Sequence, residues 1–238
     1  MMNNTVLLVF LQLAAAMLLC LPTAHSFSLV ALPRCPATVW RARPLHLRAG
    51  AFELESDAMG RCAEALCEAG DEIVAAAAIL GENRVLFAGV LLDWPASLSA
   101  GGCSIANAGR DARSVAAALR DNKWASACGP LKTCAGSLFG AAASLADVCS
   151  AGAALGEAGL EIEDASLMLR ATAGPSLVSA GECLASAGGA LGAYASQVTR
   201  GGGVYAQAGA RLFSAGGALA DAGEAMEKCG SALEKGGN

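Results

Sequence analysis

Eight cysteines follow residue 50, at 62, 67, 103, 128, 134, 149, 183 and 229. They are the side chains best suited to chemistry, since a thiolate can attack carbon, bind zinc or close a disulfide. Their spacing supports little of this: no Cys-x-x-Cys pair occurs, and the intervals match neither zinc nor iron–sulfur patterns. Both histidines, His25 and His46, precede residue 51. Past that point no imidazole can serve as general base, activate a nucleophile or ligate a metal. The thiols therefore read as small apolar fillers, equivalent to the alanines around them. Helix-to-helix disulfides are the alternative in an oxidising compartment. Cys128 and Cys134 flank Gly129-Pro130, which reads as a turn, and form the candidate pair.

Other motifs carry less. Gly101-Gly102, Gly188-Gly189 and Gly201-Gly202-Gly203 are glycine-rich. None precedes a Lys-Ser/Thr or follows a strand, the context a phosphate loop requires. Glu161-Ile162-Glu163-Asp164 clusters three carboxylates, which on a helix form a solvated face. Ile73–Leu92 is largely apolar but interrupted by Glu82-Asn83-Arg84, and each charge costs ~2.5–3.5 kcal/mol on membrane insertion scales. The expectation is peripheral membrane contact, without a spanning helix and without a metal or other required cofactor.

Charge divides the chain. Residues 1–50 hold Arg34, Arg41, Arg43 and Arg48 and no acid, a formal +4. The remainder holds 12 Lys+Arg against 21 Asp+Glu, a formal −9, with no basic patch for nucleic acid. Val6–Leu21 is an apolar run broken only by Gln12, followed by Ala24-His25-Ser26. That order fits a signal peptide over 1–26. Phe27 then opens a basic, acid-free, proline-bearing stretch to residue 50. A signal peptide, a phenylalanine and an acid-free basic segment together resemble the two-part plastid presequence of algae with complex red-lineage plastids. The resemblance covers residues 1–50 and implies a plastid, in the stroma or at the thylakoid. Secretion with a basic propeptide is the alternative.

The elements that must position any site come from residues 51–238. Three prolines remain there, in Trp94-Pro95, Gly129-Pro130 and Gly174-Pro175, and each marks a helix start. With Gly201–Gly203 as a further break, the segments predict about five helices, at 52–93, 96–127, 131–172, 175–199 and 204–235. A single helix running through 201–203 is the alternative. From Ala173 to Leu233 a small residue and, three positions later, a large apolar one recur every seven residues. The register runs Gly174/Leu177, Gly181/Leu184, Gly188/Leu191, Gly209/Leu212, Gly216/Leu219 and Gly223/Met226, with Ala195 and Gly202 continuing it. A seven-residue apolar period specifies helices packed along a seam. Shifted series appear earlier, at Met59, Leu66, Ile73 and Leu80, at Leu98, Ile105, Ala112 and Leu119, and at Val148, Leu155, Ile162 and Leu169.

Small residues beside the large ones let backbones approach to the ~8 Å end of helix spacing. The fold class is therefore all-α, an antiparallel bundle of long Ala/Gly-rich heptad helices. The function expected is a non-enzymatic scaffold or linker of a plastid, its small-residue faces packed on protein partners such as a thylakoid photosystem or antenna complex. A lipid- or pigment-binding bundle and a secreted coat protein are the alternatives.

Overall fold

The computed structural model describes residues 46–82 and 94–236, with the backbone alone for 46–52. The signal segment 1–26, most of the transit-like segment 27–50, and residues 83–93 of the first expected helix lie outside the described residues. Six α-helices follow one another: α1 (His46–Glu82), α2 (Trp94–Arg120), α3 (Trp124–Leu145), α4 (Ala151–Leu167), α5 (Gly174–Thr199) and α6 (Gly203–Gly236). A single 3₁₀ turn, Arg170–Thr172, separates α4 from α5. No strand occurs among the described residues. The boundary drawn at residue 50 falls within the first turns of α1.

Two of the expected breaks move. Gly129-Pro130 is no turn but lies inside α3. The chain reverses instead at Asp121-Asn122-Lys123, where Asn122 takes φ 55°, a conformation asparagine tolerates better than most residues. The helix expected over 131–172 is two helices, parted at 146–150. Conversely, Gly201–Gly203 does break the last region, with Gly202 at φ 69° and Gly203 at φ 52°. Only glycine adopts such angles in succession without strain, so the single sixty-residue helix does not form.

Each helix packs on its neighbours in sequence, and α6 packs back on α1, closing a ring. The buried sides are the heptad series: Met59, Leu66 and Ile73 from α1, Leu98, Ile105 and Leu119 from α2, Leu131 and Leu138 from α3, Leu155 and Ile162 from α4. The outer members of the third series lie at the edge of this core or outside it. Val148 sits half-buried in the α3–α4 turn, and Leu169, past the end of α4, is 78% exposed.

The α5–α6 seam shows how the repeat works. Gly174 faces Gly230, Gly181 faces Gly223, and Gly188 faces Gly216, one helix stepping up by seven as the other steps down by seven. That is antiparallel register. A Cβ on Gly223 would stand 2.5 Å from the Gly181 carbonyl oxygen, and one on Gly181 2.6 Å from that of Gly223. The helices touch backbone to backbone, a distance no other residue permits. Leu177, Leu184, Leu191, Leu212, Leu219 and Met226 fill the core beside these contacts.

The bundle has two unlike ends. At one, the 121–123 turn and the segment after α4 meet the first part of α1. There Glu55, fully buried, accepts from Arg170 Nη2 at 2.5 Å. Arg170 Nη1 also donates to Asn122 Oδ1 at 2.9 Å, and Trp124 Nε1 donates to the Met168 carbonyl at 3.0 Å. This is the closed end. The 146–150 and 200–202 turns and the start of α2 form the open end.

Candidate functional site

At the open end a pocket of about 690 Å³ is lined by Trp94, Asp147, Val148, Tyr194, Gln197, Val198, Arg200, Gly201 and Tyr205. Its volume lies in the ~300–1,000 Å³ range of small-molecule sites. Four elements supply it. Trp94 is the first residue of α2, where Pro95 suits the first helical turn. Asp147 and Val148 come from the α3–α4 turn, Tyr194 to Arg200 from the last turns of α5, and Tyr205 from the first turn of α6. The helices end at one level, so these residues converge although they lie far apart in sequence.

Trp94 and Tyr194 stand edge to face, with centroids 6.5 Å apart and planes at 86°. Tyr205 adds a third ring. A Cβ on Gly201 would lie 2.9 Å from Tyr205 Cβ and from its ring carbon Cγ, so the glycine is what lets this ring fold against the turn. Burial pushes the Tyr194 phenol up, and the nearby Cys149 adds to the shift. The phenol therefore stays neutral, a wall with one hydroxyl. Burial likewise raises the Cys149 thiol, against the lowering effect of the Ala151 and Gly152 backbone. The rim carries one charge of each sign, Asp147 and Arg200, both exposed. A smaller cleft of about 430 Å³ lies beside it, lined by Ser196, Thr199, Ala206, Gly209, Ala210 and Phe213.

The residues singled out from the sequence lie elsewhere. Gly174, Leu177, Gly181, Leu184, Gly188 and Leu191 of α5, and Gly209, Leu212, Gly216, Leu219, Gly223 and Met226 of α6, are buried within the chain. They form a packing seam and line no common cavity apart from Gly209, which edges the smaller cleft. Cys128 and Cys134 are free thiols in one helix. Six residues of α-helix separate them by about 9 Å along the axis and two-thirds of a turn, beyond disulfide reach. The two do not pair, because the turn that would bring them together is helix.

The remaining cysteines are also free. Cys62, Cys134 and Cys229 come from three helices and are fully buried. Burial pushes Cys134 and Cys229 up to about 12. It raises Cys62 too, and Cys134 and Cys229 are near enough to add to that shift. No group of His, Cys, Asp or Glu among the described residues has the arrangement of a metal site. No described helix is long and apolar enough to cross a membrane. The Glu161–Asp164 cluster buries only Ile162.

Sequence reasoning missed the pocket and the closed-end ion pair. One signal was present: the chain has two tyrosines, and both fall within seven residues of Gly201. The chain matches no known family model, and no curated protein is similar to it.

Proposed function

We propose that this chain is a non-enzymatic helical bundle that binds a small amphipathic molecule in the open-end pocket, the lipid- or pigment-binding alternative raised by the sequence. One observation carries the reading: a cavity of about 690 Å³ walled by three aromatic side chains with charge only at its rim. The composition agrees, because no histidine follows residue 50 to support acid–base work at such a site. Volume narrows the ligand. At the ~30 Å³ that a water occupies in the liquid, the pocket holds about twenty-three non-hydrogen atoms. A single-chain amphiphile matches that size; a phytylated tetrapyrrole or a two-tailed lipid would extend beyond it. The compartment proposed is the plastid, on the strength of residues 1–50.

A scaffold for a photosynthetic partner is the second reading. The heptad face first assigned to such a partner is occupied by the chain's own helices. A partner would instead meet the exposed apolar residues at the closed end, Leu167 at 75% and Leu169 at 78% exposure. Native purification separates the two readings. Organic extraction of the purified chain should release a one-to-one small amphiphile, identified by mass spectrometry. An empty chain that comes down in fixed stoichiometry with a protein would replace the first reading by the second.

A further inference from the structure

Resting on that reading, we propose that the pocket recognises a zwitterionic head group in which a quaternary ammonium sits beside an anion, as in a phosphocholine or a betaine. Trp94 and Tyr194 present perpendicular rings with centroids 6.5 Å apart, and Tyr205 closes a third side. A cation resting near 5 Å from two such centroids lies within the ~6 Å over which ring quadrupoles attract it. Asp147 lines the same pocket and supplies the opposing charge.

The two rim charges decide between head groups. Asp147 and Arg200 share the pocket but form no ion pair, and neither makes a side-chain hydrogen bond among the described residues. A purely anionic head would satisfy Arg200 and face Asp147 unfavourably, and a purely cationic head would do the reverse. One carrying both signs is opposed by neither. A primary ammonium is a poor match for the cationic half. Its three N–H donors each need an acceptor; Asp147, Gln197 and the two phenol oxygens offer some, but the rest of the wall is ring carbon and the methyls of Val148 and Val198. A trimethylated nitrogen needs no acceptors and attracts every ring face it meets.

Head group and tail are also matched to the space. About twenty-three non-hydrogen atoms is the size of a phosphocholine carrying one medium-length alkyl chain. The same chemistry could come from a single-chain lipid or from a free soluble head group, and the ligand panel separates these.

The test is calorimetric titration of the full chain with dodecylphosphocholine below its micelle concentration, free phosphocholine, dodecyl sulfate and dodecyltrimethylammonium. One-to-one binding of dodecylphosphocholine, tighter than either singly charged detergent, supports the proposal. Tyr205→Ala and Trp94→Ala should each weaken it roughly threefold to thirtyfold, while Tyr205→Phe, which keeps the ring, should retain it. Asp147→Lys should reverse the preference in favour of dodecyl sulfate. Free phosphocholine binding as tightly as dodecylphosphocholine supports the head-group assignment and identifies a soluble ligand. Equal binding of dodecyl sulfate, with Asp147→Asn silent, overturns the head-group assignment and leaves the amphiphile reading intact. No binding of any of the four to a chain shown by circular dichroism to be folded overturns both.

Discussion

The closed and open ends of the bundle finish the same six helices in opposite ways. At the closed end a carboxylate is driven fully into the interior and neutralised by Arg170, while Leu167 and Leu169 point into solvent. At the open end the charges of Asp147 and Arg200 stay outside and the rings turn inward. Burying a charge demands a partner held in place, because desolvation costs several kcal/mol per ion. Such an end is therefore committed to one arrangement. Rings around a cavity need no fixed partner, so that end is free to accept a ligand. On the function proposed above, stability and binding are placed at opposite ends of one molecule.

The sharpest way to break this contrast is at the closed end. Arg170→Ala should lower stability by about 3 kcal/mol, the low end for removing one member of a buried pair, because Arg170 itself is a quarter exposed. Urea denaturation measures it. Ligand binding at the open end should not change, and a loss of binding in the folded variant would mean that the ends are coupled.

A smaller effect separates two adjacent glycines of α5. A Cβ on Gly188 would fall on the Gly216 carbonyl oxygen, whereas one on Gly189 meets nothing within 4 Å. Gly188→Ala should therefore cost about 2 kcal/mol as the helices part. Gly189→Ala should gain up to ~1 kcal/mol of helix propensity. Two thermal melts decide it, and equal signs would mean that the seam is looser than its register implies.

At the open end, Tyr205→Ala should cost only about 1 kcal/mol, typical of a partly buried substitution, while weakening ligand binding roughly threefold to thirtyfold. A large drop in melting temperature would show that the ring is structural.

The last effect is a pH dependence from the closed-end side, nil at neutral pH and developing only in alkali. Burial, helped by Glu55 and opposed by Arg170, raises the Cys229 thiol to about 12; a free thiol lies near 9.0. The folded chain then keeps a proton that the unfolded chain releases. This contribution is complete below pH 9 and is lost as pH climbs from 9 towards 12. Melting temperature against pH should fall across that window, and Cys229→Ala should flatten part of the fall. In neutral buffer a maleimide should label exposed Cys103 and half-buried Cys149 well before Cys229.

What was legible in the sequence was the seam, because a seven-residue alternation of Gly and Leu has one economical solution, two antiparallel backbones in contact. Helix ends were less so. Pro130 looked like a start, but in the second turn of α3 it removes a single hydrogen bond that neighbouring packing tolerates. The true reversal depends on one left-handed asparagine, Asn122. The break at 146–150 has neither proline nor glycine to announce it. The pocket was illegible for a different reason. Trp94, Asp147, Tyr194 and Tyr205 meet only because the start of α2 lies level with the α3–α4 and α5–α6 turns, which is a property of helix lengths and of no local motif. Glu55 and Arg170, 115 residues apart, were hidden in the same way.

The ring also bears on how the chain reaches its fold. Five of its six seams join helices that are neighbours in sequence, and such hairpins form from local contacts that cost little loop entropy. The sixth, between α1 and α6, must bring the two extremes of the bundle together. Folding should thus proceed as rapid, local zippering followed by one slow closure. Substitutions in the α5–α6 seam, formed before that closure, will then chiefly retard refolding, and equally destabilising ones on the α1–α6 face, completed last, will chiefly hasten unfolding.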